Sequence, residues 1–232
     1  MHLFYAPQLL ASAVLPEVES QHAVKVLRLN CGDSIQLVDG KGGLYNARIT
    51  LPHHKHCGFE ITETLTDTSL RNYQLHLAIA PTKNIDRFEW FVEKATEIGI
   101  DQITPLICKN SERKTVKAER IEKIIISAAK QSLKAKFPEL NSACAFEEFI
   151  STYHADHHFI AHCHNDDKWL LKSQVQAGKS VIILIGPEGD FSTQEVTTAL
   201  KNNYLPVSLG NSRLRTETAG LVACSTVAFC NL

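Results

Sequence analysis

The sequence has no C-x-x-C pair. Its seven cysteines, at positions 31, 57, 108, 144, 163, 224 and 230, are odd in number and scattered. In a chain this long that pattern argues against a disulfide framework. No apolar run approaches the roughly 20 residues that a bilayer span needs. The opening Met1-His2-Leu3-Phe4-Tyr5-Ala6-Pro7 lacks a basic stretch and a long apolar stretch, so no signal peptide is read and a cytoplasmic protein is expected. Neither charge sign dominates: Lys+Arg 24 against Asp+Glu 25 leaves −1, which excludes a wholesale polybasic protein. With 44% hydrophobic residues, the composition also excludes a disordered chain. Internal repeats and low-complexity tracts are absent. So are both nucleotide fingerprints, Gly-x-Gly-x-x-Gly and Gly-x-x-x-x-Gly-Lys-Ser/Thr. What remains is 232 residues, enough for one or two domains with a core of their own.

Near-neutrality overall conceals a local imbalance. Residues 109–136 carry nine basic against three acidic side chains, whereas 137–170 carry one against six. The basic stretch suits phosphate contact, or else is a solvated helix face. Arg113, Lys114 and Lys117 are its candidate RNA contacts.

The chain uses two grammars. Residues 1–71 are strand-like and broken by turns. Ser34–Val38 alternates, Asp39-Gly40-Lys41-Gly42-Gly43 turns, and Leu44–Leu51 alternates again, which reads as a β-hairpin. A further run covers 59–65, and a short helical piece covers His22 to Arg28. Short strands with glycine-rich turns suggest a small barrel. The polar Asp67-Thr68-Ser69 is the expected boundary, giving domains 1–70 and 71–232. From Tyr73 onward strands and helices alternate, with strands at 75–80, 102–107, 158–162, 181–185 and 206–209. The intervening helices are expected at 86–98, 118–133, 193–202 and 216–229. One apolar face of the first is Phe88, Phe91, Val92, Ala95 and Ile98; that of the second is Ile121, Ile124, Ile125, Ala128 and Leu133. Near-continuous apolar strands separated by helices mean an α/β domain with a parallel sheet covered on both faces.

Ligands of such sheets lie beyond the carboxyl ends of the strands, and two loops there stand out. One follows Ile185 and reads Gly186-Pro187-Glu188-Gly189-Asp190-Phe191-Ser192. Glycine lets backbone approach a ligand, and Ser192 with Glu195 makes a capping box. The other reads Leu209-Gly210-Asn211-Ser212-Arg213-Leu214-Arg215-Thr216-Glu217-Thr218-Ala219. Its two arginines need an anion or solvent. Either pairs with Glu188 or Glu217, or faces substrate.

These two loops resemble the signature of RsmE-type 16S ribosomal RNA uridine N3-methyltransferases of the SPOUT class. The likeness extends to His22-Ala23-Val24-Lys25-Val26-Leu27-Arg28, Asp39-Gly40-Lys41-Gly42, Glu93-Lys94-Ala95-Thr96-Glu97-Ile98-Gly99 and Ser127-Ala128-Ala129-Lys130-Gln131-Ser132, in family order over nearly the whole chain. The resemblance implies an amino-terminal PUA-like β-barrel that binds RNA, with Arg28 near its helix end, and a carboxyl-terminal SPOUT domain with a trefoil knot. It implies S-adenosylmethionine held by His162, Ile185, Gly186, Pro187, Glu188, Gly189, Leu209, Gly210, Asn211, Leu214 and Thr216. It also implies a homodimer through the SPOUT domain and, as partner, 16S ribosomal RNA or the small ribosomal subunit. Asp190 stands where the family usually has a second glycine; if the backbone there has positive φ, Asp tolerates it better than most residues.

The implied chemistry needs a base freed of its N3 proton and a donor held in line. Arg215, then Arg213, is the candidate stabiliser of the developing uracil anion. Glu188 or Glu217 orients the arginine or takes the proton. Competing readings are a non-catalytic RNA-binding protein on the same fold and a nucleotide-binding enzyme using the 186–189 loop. The histidines at 53, 54, 56, 154, 157, 158, 162 and 164 lack a paired ligand set and are read as loop and strand-end residues rather than a metal site.

Overall fold

Alternating apolar residues build the first sheet, and continuous apolar runs build the second. The computed structural model describes residues 2–66, 71–164 and 167–232; the boundary expected at 67–69 lies outside them. Compact packing divides the chain into two units. One takes residues up to 70 together with Ile126–Phe137, and the other takes Arg71–Ile125 with Pro138–Leu232.

In the first unit the elements are β1 (Leu3–Tyr5), α1 (Glu17–Gln21), β2 (Ser34–Val38), β3 (Leu44–Leu51) and β4 (Gly58–Leu65), with a π-helical turn over His22–Val26. Strand order is β1-β2-β3-β4, parallel for the first pair and antiparallel after it. Pairing among the described residues leaves β1 and β4 as edges, and Val14 bridges Gly58 on β4. The inward residues Phe4, Ile35, Leu37, Ala47, Ile49 and Phe59 form the core. The segment 126–137 joins this unit: Lys130 Nζ reaches Glu19 Oε1 at 2.6 Å, and the Phe137 ring lies 4.8 Å from that of Tyr5.

In the second unit the elements are β5 (Gln74–Ile79), α2 (Ile85–Ile98), β6 (Gln102–Ile107), α3 (Ala118–Gln131), β7 (Glu139–Leu140), β8 (Cys144–Ala145), α4 (Phe146–Thr152), β9 (His157–Ala161), β10 (Trp169–Leu170), β11 (Ser180–Ile185), α5 (Thr193–Lys201), β12 (Leu205–Ser208) and α6 (Thr216–Phe229). The last turns of α3 count with the first unit. Strand order is β10-β12-β9-β11-β5-β6-β7, with β8 also on β6, and every pair is parallel. Ala78, Leu106, Ile160, Ile182 and Leu184 pack on one face with Phe146, Phe149, Phe191 and Val196. Phe88, Phe91, Val92 and Ala95 of α2 are buried as their spacing requires. Helix α6 presses close: a Cβ added at Gly220 would stand 2.7 Å from a Phe91 ring carbon and 2.8 Å from Ile79 Cδ1. Gly220 therefore serves packing within its own chain, and Ala223 on the same helix is fully buried.

Leu133 corrects one expectation. It is 69% exposed with φ 56, because α3 ends at Gln131 and the Leu133 and Lys134 amides bond back to Lys130 and Ala129. Among the described residues no helix is long and apolar enough to cross a membrane.

Candidate active site

Parallel strands all point the same way, so β12, β9, β11 and β5, neighbours in the sheet, end together at Ser208, Ala161, Ile185 and Ile79. The loops leaving them are laced to one another. Glu188 Oε1 accepts the Lys83 amide at 2.9 Å. Asn110 Nδ2 donates to the carbonyls of Gly189 and Asp190, at 3.1 Å each. Thr216 Oγ1 donates to the Gly186 carbonyl at 3.1 Å. Lys168 Nζ donates to the carbonyls of His162 and His164. The Ser192–Glu195 capping box forms, and Glu195 Oε1 also accepts the Lys109 amide at 2.8 Å.

Asp190 has φ 60, in the left-handed region that Asp tolerates better than most residues. Its carboxylate accepts the Cys163 amide at 2.8 Å and the Phe191 amide at 2.8 Å. A glycine there would have the backbone freedom but not this tie to the loop after β9.

Three adjoining clefts open among these loops. One of about 600 Å³ is bordered by Ile185, Gly186, Pro187, Glu188, Gly189, Leu214 and Thr216. A second, of about 550 Å³, is bordered by His162, Leu209, Gly210 and Asn211. A third, of about 630 Å³, lies against Asp86, Arg87, Trp90, Arg215 and Glu217. Arg213 and Leu214 border all three. Every residue expected to bind cofactor thus borders the first or second cleft. Sequence reasoning missed Ala161, Cys163, Lys168 and Ala219, which also line them. Only proximity to a strand end marked these residues beforehand.

The arginines do not make the pairs considered for them. Glu188 is taken by the Lys83 amide. Glu217 is 6% exposed, and its partner is Arg87, whose Nε lies 3.9 Å away. Among the described residues the Arg213 and Arg215 guanidiniums make no hydrogen bond or ion pair, and both residues are exposed. Two cations unpaired among the described residues therefore border a cleft that also holds a buried carboxylate whose ion-pair partner is Arg87. Such a combination of cations and a carboxylate can hold an anion on one side and take up a proton on the other.

The RNA candidates separate. Arg113 donates through Nε to the Thr82 carbonyl at 3.1 Å and through Nη2 to the Lys83 carbonyl at 2.9 Å, so it braces the loop that Glu188 also holds. Lys114 and Lys117 are exposed. Arg28, in the first unit, is exposed with φ 56 directly after the π-helical turn. His162 is buried with its ring 5.4 Å from that of His164. Among the described residues no group of three His, Cys, Asp or Glu side chains is placed to hold a metal.

Comparison with known proteins converges on one family. The RNA methyltransferase domain family matches residues 69–228, and the RNA methyltransferase PUA domain family matches 15–62. A probable rRNA-methyltransferase of Porphyromonas gingivalis has 41% identity and a TM-score of 0.95, covering 100% of this chain and 98% of that one. The ribosomal RNA small subunit methyltransferase E of Neisseria gonorrhoeae, solved bound to S-adenosyl methionine, has 27% identity and a TM-score of 0.86, covering 100% and 98%. The Rickettsia conorii protein of the same name is 29% identical over 209 residues, covering 89% of this chain and 85% of that one.

Proposed function

The chain belongs to the RNA methyltransferase family of the RsmE type, and from that premise we propose that it methylates N3 of a uridine in 16S ribosomal RNA of the small ribosomal subunit. The observation that carries this reading is the buried Glu217 carboxylate in one cleft with Arg213 and Arg215, which also border the neighbouring strand-end cleft and are unpaired among the described residues. A solvated RNA-binding surface has no use for a buried carboxylate that opens on a cleft.

The first two clefts fit S-adenosylmethionine. Their volumes lie in the range of roughly 300–1,000 Å³ usual for small-molecule sites. Backbone of 185–189 and 209–211 lines them, and at Gly210, with φ 127, no atom lies within 4 Å of where a Cβ would stand. When bound, S-adenosylmethionine supplies an electrophilic sulfonium methyl, whose bond electrons stay on sulfur as the methyl joins N3. The protein places the base and handles its proton. Glu217 takes the N3 proton, since Glu188 is spent on the Lys83 amide. Arg215, with Arg213, holds the negative charge that spreads onto the uracil oxygens. A paired uridine hides N3, so the base must be unpaired or flipped out.

The partner on this reading is 16S ribosomal RNA or the assembled subunit. A homodimer through the SPOUT domain is supported by Phe229, 73% exposed at the end of α6, beside the exposed terminal Leu232. Light scattering should give twice 25.8 kDa.

Labelled methyl transfer from S-adenosylmethionine to 16S RNA or to small subunits tests the function, with mass mapping of the product. N3-methyluridine is the expected product. Methylation at carbon or on ribose would refute the N3 assignment, and cofactor binding without transfer to either substrate would favour a non-catalytic RNA-binding protein.

A further inference from the structure

The third cleft is not needed for the cofactor, and its chemistry differs from that of the other two. It is built on the first turns of α2 and α6. Trp90, 45% exposed, stands on α2 away from the stripe of Phe88, Phe91, Val92 and Ala95 that packs into the core. Asp86 and Arg87, four and three residues earlier, share its helix face and line the same cleft. Opposite them are Arg213, Arg215 and the buried Glu217. A large aromatic face left in solvent beside three guanidiniums and a buried carboxylate matches a flat heterocycle. Such a ring has a π-face, carbonyl oxygens that accept hydrogen bonds and one ring N–H that donates.

Resting on the function proposed above, we propose that Trp90 and Arg87 form the platform of the target uracil. The ring stacks on the indole, Arg87 reaches one carbonyl oxygen, Arg213 and Arg215 reach the other, and N3–H points to Glu217. Arg87 then has two tasks, since its Nε already lies 3.9 Å from the Glu217 carboxylate. The cleft is lined by α2 and by the segment 213–215, of which Arg213 and Leu214 border all three clefts, so a base on Trp90 presents its edge to that segment.

The protein has two tryptophans, and Trp169 on β10 lies outside the clefts. Trp169→Phe therefore leaves Trp90 as sole reporter. Oligouridylate should quench its emission without cofactor, while an abasic chain of equal length should not. Equal quenching by both would reduce the cleft to phosphate contact, and no quenching by either would overturn the platform. Emission that changes with protein concentration alone would assign the face to a second copy of the chain.

In methylation of 16S RNA, Trp90→Ala should weaken RNA use roughly ten- to a hundredfold, mostly in KM, since stacking is made before the chemical step. Trp90→Phe should restore most of it. Calorimetric S-adenosylmethionine affinity and thermal midpoint should stay at the full chain's values in both variants. Trp90→Ala with undiminished methylation sinks the platform and leaves the methyltransferase intact. Absence of N3-methyluridine from RNA treated with the unsubstituted protein sinks the function itself, whatever the tryptophan signal.

Discussion

Arg215 has an exposed side chain and, among the described residues, no ion pair or hydrogen bond on its guanidinium, so removing it should cost the fold little. If it stabilises the uracil anion, the interaction exists only in the transition state and its loss appears in kcat. Arg215→Ala should lower the single-turnover rate about 10²–10³-fold at saturating cofactor and RNA. Lysine should rescue poorly, because an ammonium lacks two parallel donors. A full rate in Arg215→Ala would remove it from the chemistry. His76 makes the opposite kind of statement, about stability. It is 7% exposed, edge-on to the stacked rings of Phe149 and Tyr153, with Nε2 2.7 Å from Thr104 Oγ1, and Asn141 Nδ2 donates to the same hydroxyl. Burial pulls its imidazole from the ordinary 6.5 down to about 4. The unfolded chain therefore binds the proton more readily than the folded one. The stability contributed by neutral His76 is complete above the unfolded value and is lost as pH falls toward the folded one, on the order of 3 kcal/mol in all. His76→Leu should flatten the decline of the thermal midpoint in that window, though Thr104 loses a partner and the midpoint at pH 7 drops. Parallel profiles for the two proteins would mean that His76 does not titrate differently on folding.

Among the elements, the loop after β12 is the most open to test. Gly210 has φ 127 and open space at its Cβ position, so a valine meets no neighbour but cannot keep the backbone. The loop must relax, at a cost of about 1–3 kcal/mol, and it is exposed enough for the fold to survive. Gly210→Val should cut S-adenosylmethionine affinity at least tenfold by calorimetry with an unchanged circular dichroism spectrum; unaltered affinity would detach this loop from the cofactor. Elements of this kind were legible because local chemistry sets their ends. The span of α6 is as read, and α5 begins at the capping box as read. The loops that line the clefts were legible too, since glycine and arginine at strand ends carry a local signal. Side-chain partnerships were not, because they join residues far apart in sequence. Glu188 and the Lys83 amide are 105 residues apart, and Arg113 binds carbonyls about 30 residues before it. Trp90 did leave a trace, an aromatic residue off the apolar stripe of an amphipathic helix. Leu133 misled because a helix pattern does not show where a left-handed residue will stop it.

Over the whole molecule, near-neutral charge leaves RNA affinity to local basic patches. The two units also limit how that affinity can be dissected. Cutting at residue 70 would leave 126–137 behind, strip Lys130 of Glu19 and strip Phe137 of Tyr5, so truncation mixes impaired binding with impaired folding. Point substitutions are cleaner, but not all of the basic stretch is equivalent. Replacing Arg113 would free the carbonyls of Thr82 and Lys83 and slacken a loop of the active site. Lys114 and Lys117 are exposed and brace nothing through their side chains among the described residues. A cationic side chain that touches a phosphate adds about 0.7–0.9 to the slope of log affinity against log salt, and its removal takes that away. Lys114→Ala with Lys117→Ala should therefore lower the slope for 16S RNA by about 1.4–1.8 if both lysines touch phosphate. Arg28→Ala in the first unit should lower it by a further step of about 0.7–0.9. Calorimetric S-adenosylmethionine affinity should be unchanged in all three positions, because none borders a cofactor cleft. An unaltered slope in the lysine pair would make that face a solvated one. An altered slope for the lysines with none for Arg28 would place the electrostatic attraction in the catalytic unit alone.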